Sequence, residues 1–269
     1  MNYTTCVIIP SVGNSIELSF VLDSLLSQEE PLDEIIVVGP FEDLGRKVAE
    51  DRNIRYIDDK GSKTRADACN VAIEESESDI ILFTDDDVIV PSNWSKLILR
   101  WFSKDEVSGV GGPNFAPVAE SSLWQKVIDV TFCNTIFTSG TNYGKIGNKD
   151  LEEVDQLPGV NSAYRRKVIE EIGGFDKGSI GAEDVILDYK IRKNGNKLWS
   201  DKSAVMWHRR RNITKVKKQI RNYGLVRALA SHEYPELRKP SHTAVAFFPL
   251  LVILSLFFSI WGLLNGGVA

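Results

Sequence analysis

The first half of the chain alternates short runs of apolar residues with longer segments in which apolar residues recur at helical spacing. The short runs are rich in β-branched side chains and predict strands at Thr5–Pro10, Glu34–Gly39, Ile54–Ile57, Ile80–Thr84 and Val107–Pro113. The longer segments between them, such as residues 15–28, predict amphipathic helices. Strands that alternate with helices are typical of βαβ units, so we expect an α/β fold with a mostly parallel sheet.

The second half of the chain has a less regular pattern. The predicted elements are helices at Tyr164–Phe175, Ala182–Lys197 and 213–234, and short strands at 198–200 and 204–208. Glycines at 173 and 174 favour a left-handed end to the first of these helices. Residues 121–140 fit either a helix or a loop, and residues 141–150 are polar and rich in turn-forming residues.

The most apolar stretch lies near the C-terminus, where residues 244–264 contain no charged side chain. A helix of this length would rise about 30 Å, enough to cross the hydrocarbon core of a bilayer. A buried helix of a soluble protein is the alternative. Arg238 and Lys239 precede the stretch and no charge follows it. The positive-inside rule therefore predicts a single-pass protein of the cell membrane with residues 1–237 in the cytoplasm.

Composition and charge narrow the class of protein. The 269 residues are 43% hydrophobic, which is ordinary for a globular protein with a sizeable core. The formal net charge of −5 argues against a general nucleic-acid binder. The three cysteines are widely spaced and form no CxxC pair, so neither a zinc site nor a disulfide framework is predicted.

Three carboxylates, Asp85, Asp86 and Asp87, follow the predicted strand at Ile80–Thr84. Ligands of parallel sheets bind beyond the carboxyl ends of the strands. Mg²⁺ and Mn²⁺ prefer oxygen ligands and bridge carboxylates to phosphate, so a cation would offset the repulsion within the cluster. A solvated turn is the alternative, because aspartate also favours turns. If the strand geometry continues, Asp85 and Asp87 point to one side and Asp86 faces away.

The segment "FTDDDVIVPSNW" resembles the DxD signature of family-2 glycosyltransferases of the GT-A fold. Further segments that resemble this family are "CVIIPSVGNS", "EIIVVG", "LPGVNSAYRRKVIEEIGGFD", "GAEDVILDYKIRKNG" and "AVMWHRR". They follow one another in the order of the family, across roughly residues 4–225. The resemblance implies a Rossmann-like sheet that binds a nucleotide-diphospho sugar, in agreement with the predicted βαβ units.

The resemblance also implies a role for each candidate site residue. Asp184 would be the base that takes the acceptor proton in an inverting transfer, and Glu183 would position the acceptor. Ordinary helix capping is the alternative for these two acids, and a structural role is the alternative for His208. The implied donor-binding residues are Pro10, Arg65, Asp85, Asp86, Asp87 and Arg211, and the implied ligands of Mn²⁺ or Mg²⁺ are Asp87, Asp85 and His208.

Two departures from the family pattern concern the nucleotide. The acidic turn that usually follows the second strand is replaced by Gly39 and Pro40, so the residue that reads the nucleobase is not identified. The usual "ARN-G" pattern is replaced by "ADACNVA", in which Asn70 keeps its place and Ala72 stands where glycine is usual.

The pattern and the resemblance together predict an inverting, metal-dependent glycosyltransferase of the hexosyltransferase class. Its predicted partners are a nucleotide-sugar donor, a lipid-linked glycan or polyprenyl phosphate acceptor and membrane lipids, but no nucleic acid. The predicted domains are a catalytic domain at 1–237, with a donor half at 1–113 and an acceptor half at 114–237, a linker at 238–243 and a transmembrane helix at 244–264.

Two other functions compete with this prediction. A nucleotidyltransferase would need a glycine-rich loop with a lysine after the first strand, and the segment there, "PSVGNSIELS", has one glycine and no lysine. A non-catalytic, nucleotide-binding membrane protein of the same fold is favoured only by the altered turn at Gly39 and Pro40.

Overall fold

A computed structural model of the chain describes residues 3–134, 144 and 149–264, without the side chains of 242–246 and 263. The strands are β1 (Thr5–Pro10), β2 (Glu34–Gly39), β3 (Arg55–Asp58), β4 (Ile80–Phe83), β5 (Val88–Ile89), β6 (Gly109–Gly111), β7 (Asn114–Phe115), β8 (Leu151–Val154), β9 (Ser162–Arg165), β10 (Leu198–Asp201) and β11 (Met206–His208). The helices are α1 (Ser15–Leu26), α2 (Leu44–Glu50), α3 (Arg65–Glu75), α4 (Trp94–Leu99), α5 (Leu123–Cys133), α6 (Arg166–Glu171), α7 (Glu183–Lys193), α8 (Ile213–Glu233) and α9 (Pro240–Leu264). The predicted α/β class is confirmed.

The central sheet contains eight described strands in the order β3-β2-β1-β4-β9-β6-β10-β8. Strands β3, β2, β1 and β4 pair in parallel, and so do β6 and β10. Helices cover both faces of the sheet, because Val7 and Ile9 of β1 pack in one cluster with α1 and α4, whereas Cys6 and Ile8 pack in another with α3 and α6. Strands buried on both faces have continuous apolar runs, which is why the sequence pattern located them.

Strand β9 joins the two halves of the chain. The sequence predicts a helix from Tyr164, but this residue lies in β9, and helix α6 begins only at Arg166. β9 pairs antiparallel with both β4 and β6, and these neighbours supply backbone hydrogen bonds that local periodicity does not signal. The predicted donor and acceptor halves therefore share one sheet, and their division remains a prediction about function.

A second sheet consists of three short described strands in the order β5-β11-β7. β11 runs antiparallel to β5, and the register places His208 opposite Val88. Val88 follows Asp87 directly, so this pairing brings the histidine to the aspartates. Strands of two or three residues are too short to produce a period in the sequence, and β5 and β7 were not predicted for that reason.

The C-terminal helix α9 begins at Pro240, within the predicted linker 238–243. Over the described part of the chain, no helix is both long enough and apolar enough to span a bilayer, so the predicted transmembrane helix at 244–264 is not supported. Most of the predicted turn-rich segment 141–150, and residues 135–140, lie outside the described residues.

Candidate active site

One cavity of about 600 Å³ is lined by every residue that the sequence predicts for the site. It lies beyond the carboxyl ends of β1, β3 and β4, and the start of α7 and the middle of α8 form its other walls. The predicted residues in its lining are Pro10, Arg65, Asp85, Asp86, Asp87, Glu183, Asp184, His208 and Arg211. The volume is in the range of small-molecule binding sites.

Asp85 and Asp87 have different partners in the cavity. Arg65 donates hydrogen bonds to Asp85 at 3.1 and 3.2 Å, whereas His208 Nε2 lies 3.2 Å from Asp87 Oδ1. Burial alone would raise the pKa of Asp87. The hydrogen bond and charge of His208, together with the charge of Arg211, outweigh burial and hold that pKa below its ordinary value.

The residues present fit a divalent cation. Asp85, Asp87 and His208 can each offer one ligand atom, and these atoms lie within 4.8 Å of one another. Two carboxylate oxygens and one imidazole nitrogen suit a cation such as Mn²⁺, and an incomplete protein shell leaves positions for phosphate oxygens. The third ligand reaches the cluster only through the β5–β11 pairing.

Asp86 also lines the cavity and is hydrogen-bonded by side chains of the loop after β1. Ser11 Oγ donates to its carboxylate at 2.6 Å, and Asn14 Nδ2 donates to its backbone oxygen at 3.2 Å. Burial, more than these hydrogen bonds or the neighbouring aspartates, sets its acidity and raises the pKa of Asp86 to about 6. Asp86 therefore connects β4 to the loop after β1.

Glu183 and Asp184 open helix α7 directly after Ala182, whose φ of 56° is left-handed. Asp184 accepts hydrogen bonds from the backbone N–H of Val185 at 2.8 Å and of Gly159 at 3.2 Å. Burial, followed by the charge of Asp184, raises the pKa of Glu183. The pair therefore combines a carboxylate that accepts two N–H groups with a neighbour whose pKa is raised by burial.

Arg65 lies between the two acidic groups. Besides Asp85, its guanidinium donates to the backbone oxygen of Gly159 at 2.9 Å and lies 3.6 Å from Glu183. The sequence predicts a donor-binding role for Arg65, and this bridging position was not foreseen. Because α3 and α7 are distant in sequence, only the packed fold brings these charges together.

Further side chains of α3 hold the loop that precedes α7. Asn70 accepts a hydrogen bond from Phe175 N–H and donates one to Phe175 O, both at 2.9 Å. Asp67 accepts from Gly178 N–H at 2.9 Å. The retained asparagine was the available sequence signal, and its role is to fix the path of this loop.

A fully buried carboxyl group, that of Asp188, supports the opposite wall and was missed by sequence reasoning. It accepts hydrogen bonds from Leu157 N–H at 2.6 Å and from Tyr164 O–H at 2.8 Å. Burial raises its pKa well above the usual range. An acid four residues after Asp184 on a helix is the signal, because this spacing places both on one face.

The turn after β2, where Gly39 and Pro40 stand in place of the usual acids, requires glycine at position 39, and the cavity wall nearby contains a different acid. A Cβ on Gly39 would lie 2.2 Å from Ser11 O, so the close approach of the ends of β1 and β2 requires glycine. Asp43 instead caps α2 and accepts from Gly13 N–H at 2.6 Å. Asp59, which follows β3 and is buried, lines the cavity here. Sequence reasoning missed it, although it follows a predicted strand.

The three arginines after His208 have different surroundings. Arg209 pairs with Glu120 at 2.7 Å, and buried Arg210 pairs with Asp129 at 2.6 Å. Arg211 is exposed and lines the cavity. All three line the cavity, and Arg211 is the most exposed of them, whereas Arg209 and Arg210 are already paired with acids.

Comparison with protein families and curated proteins gives consistent matches. The model of glycosyl transferase family 2 matches residues 6–173. The chain is 22% identical to the succinoglycan biosynthesis protein ExoA of Rhizobium meliloti, over 94% of this chain and 79% of that protein. It is 25% identical to the O-antigen chain rhamnosyltransferase RfbN of Salmonella typhimurium, over 75% and 65% of the two chains. Hyaluronan synthase of Streptococcus pyogenes is 26% identical, and the match covers only 42% of its length.

Solved structures share the fold. A mannosyltransferase from Pyrobaculum calidifontis, in complex with GDP-Man and Mn²⁺, superposes with a TM-score of 0.65 at 19% identity, over 92% of this chain and 70% of that one. Glucosyl-3-phosphoglycerate synthase from Mycobacterium tuberculosis, with Mn²⁺, UDP and glucosyl-3-phosphoglycerate, gives 0.59 at 14% identity, over 86% and 80%. At these identities the likeness establishes the fold alone.

Proposed function

The chain belongs to glycosyl transferase family 2, and on that premise we propose that it is an inverting glycosyltransferase that uses a nucleotide-diphospho-sugar donor and a divalent metal. One observation carries the proposal. Asp85 and Asp87 with His208 form a cation-type group in the same cavity as Glu183 and Asp184. A metal-binding group beside a candidate base is the arrangement that this transfer requires.

The donor would bind with its diphosphate at the aspartate cluster. Asp85, Asp87 and His208 would hold Mn²⁺ or Mg²⁺, a cation that offsets the negative charge developing on the departing nucleoside diphosphate. Exposed Arg211 would add charge-assisted hydrogen bonds to the diphosphate. The nucleoside would lie along the wall near Asp59, whose carboxylate can accept a hydrogen bond from a base N–H.

Asp184 would take the proton of the acceptor hydroxyl while that oxygen attacks the anomeric carbon. The bond from this carbon to the diphosphate breaks as the glycosidic bond forms on the opposite side, so the configuration inverts. Glu183, with its raised pKa, would position the acceptor by a hydrogen bond. Arg65 would keep Glu183 at a fixed distance from Asp85 and so from the donor.

For the acceptor, we propose a lipid-linked glycan or a polyprenyl phosphate. The names of two relatives, a succinoglycan biosynthesis protein and an O-antigen chain rhamnosyltransferase, support a glycan-building reaction. Exposed apolar side chains beside the cavity, Ile180 and Tyr223, support an acceptor with an apolar portion. The two fold neighbours bound GDP-Man and UDP, so GDP- and UDP-sugars are the first donors to test.

The test is turnover of nucleotide sugars by the full chain with Mn²⁺ or Mg²⁺, measured as glycosylated product and released nucleoside diphosphate. Asp184→Ala should lower the rate about 10²- to 10⁴-fold, as expected for loss of a general base. Glu120→Gln, which changes an exposed acid paired with Arg209, is the matched control and should keep the rate. A wild-type rate in Asp184→Ala would overturn the mechanism, and release of pyrophosphate from a nucleoside triphosphate would favour a nucleotidyltransferase.

A further inference from the structure

Helix α5 buries Ile128 but leaves most of its apolar side chains exposed to solvent. Its inward side carries Gln125 and Asp129, which hydrogen-bond to Arg210 at 2.6 and 2.7 Å. Its outward side carries four exposed apolar side chains at helical spacing: Leu123 (75% exposed), Trp124 (57%), Val127 (48%) and Val130 (69%). A contiguous apolar surface on one face of a helix often marks an interaction site, whereas scattered exposed apolar residues are normal.

A strongly basic segment runs beside this helix. Gln125 lies against residue 210, and the Phe132 ring lies 6.4 Å from that of Tyr223 in α8, so α5 follows residues 210–223 along its length. From Lys202 to His232 the sequence has nine lysines and arginines and no acid, although the whole chain has a net charge of −5. Three of the nine, Lys202, Arg209 and Arg210, pair with acids outside the segment. The first turns of α8 expose Lys215, Lys217 and Lys218.

We propose that the outward face of α5, together with the first turns of α8, docks on the surface of an anionic lipid bilayer. The partner must contain an apolar layer into which the α5 side chains can insert, and negative charges that can pair with the adjacent lysines. A bilayer with anionic headgroups offers both, since an amphipathic helix buries its apolar face at the headgroup boundary. A second copy of this chain fits less well, because a two-fold interface would bring the lysine-rich segments of both copies into one contact.

The docking has a consequence for the cavity. Phe132 at the end of α5 and Tyr223 in α8 both line it, so the cavity opens next to the docked face. An acceptor held in the membrane could then present its polar head to Asp184 without leaving the lipid. This use of the surface rests on the proposed function, whereas the docking itself does not.

The experiment uses the full chain with vesicles made of equal parts phosphatidylcholine and phosphatidylglycerol, carrying brominated acyl chains that quench nearby tryptophan. The fluorescence of Trp124 is obtained by subtracting the fluorescence of Trp124→Phe from that of the wild type. The subtraction removes the contribution of the other tryptophans. We expect that difference to be quenched by anionic vesicles and not by phosphatidylcholine vesicles. Absence of quenching at Trp124 in vesicle-bound protein would overturn the proposal.

Variants separate the two parts of the surface. Val127→Glu should weaken quenching at Trp124 about tenfold, because it places a charge in the apolar face. Lys218→Gln should weaken it roughly fivefold, as expected for one basic residue near an anionic surface. Leu26→Glu, on an exposed apolar residue of α1, is the matched control and should have no effect. Equal effects of Val127→Glu and Leu26→Glu, or burial of Trp124 in a concentration-dependent dimer, would refute lipid docking.

The outcomes for docking and for catalysis can be told apart. Turnover of a nucleotide sugar with a water-soluble acceptor should be the same in Val127→Glu and in the wild type. If turnover occurs and Trp124 is not quenched, the docking inference fails and the proposed function stands. If Trp124 is quenched and no nucleotide sugar is turned over, the proposed function fails and the docking stands.

Discussion

The two acidic groups of the cavity are held in place by different means. Asp85–Asp87 follow β4, whose four residues pair with β1 on one side and β9 on the other. Glu183 and Asp184 follow the loop 174–182, in which Gly174, Gly178, Gly181 and Ala182 have positive φ. Side chains of α3 hold that loop. The first group thus depends on a sheet and the second on a few long-range polar contacts.

This difference predicts which substitutions should displace each acidic group. A strand end keeps its position through backbone hydrogen bonds, which no single side-chain change removes. A loop end keeps its position through individual side chains, so a substitution outside the cavity can displace it. Changes to the first group should therefore act through chemistry, and changes around the second group should also act through geometry and stability.

Asp87→Ala tests the first group most directly. It removes a proposed metal ligand and the partner of His208, and we expect kcat/KM for sugar transfer to fall about a thousandfold or more. The matched control is Asp86→Asn, which keeps an acceptor for Ser11 and should cost less than about tenfold. Equal losses in the two variants would contradict the different roles of these neighbours.

Asp188→Ala tests whether the second group can be disturbed from outside the cavity. The change leaves the buried donors of Leu157 and Tyr164 without an acceptor, and we expect the free energy of unfolding to fall by about 3 kcal/mol. Asp188→Asn can accept from Leu157 and donate to Tyr164, so its cost should be about 1 kcal/mol. Urea denaturation measures both values. A larger loss in the asparagine variant would mean that a charged carboxylate is needed.

Arg65→Met tests the link between the two groups. It removes the contacts to Asp85, Gly159 and Glu183 while keeping much of the side-chain volume, and we expect kcat to fall roughly 30- to 100-fold. Arg65→Lys keeps the charge but loses the planar fork, and its loss should be smaller. If only KM for the donor changes, Arg65 binds substrate and does not connect the acids.

Ala182→Gly changes the loop before α7, and we expect it to have the smallest effect of these substitutions. Ala182 has a φ of 56°, a conformation that costs a residue with a Cβ about 1–2 kcal/mol and costs glycine little. The greater flexibility of glycine in the unfolded chain offsets part of this gain. We expect the free energy of unfolding to rise by about 0.5–1 kcal/mol, measured by denaturation. A fall in stability would mean that the alanine methyl group makes contacts that outweigh the strain.

The fold was predictable where burial leaves a clear pattern. β1, β2 and β4 are buried apolar runs, and α1 and α7 show helical spacing or begin with acids, so their existence and order followed from the chain. The two-residue strands β5 and β7 are too short to carry a period, and the end of β9 was assigned to a helix that begins only at Arg166. The apolar run near residue 250 was the strongest local signal, and the transmembrane helix predicted from it is not supported.

The sequence by itself determined the chemical groups of the site: the aspartates after β4, the acids that open α7, and the histidine of β11. Each follows from a local pattern, because strand ends and helix starts can be read from neighbouring residues. The tertiary structure alone decided that His208 meets Asp87, that Arg65 lies between the two acidic groups, and that α5 turns its apolar side outward. His208 and Asp87 are 121 positions apart and Arg65 and Glu183 are 118 apart, so only the pairing of strands and the packing of helices brings them together.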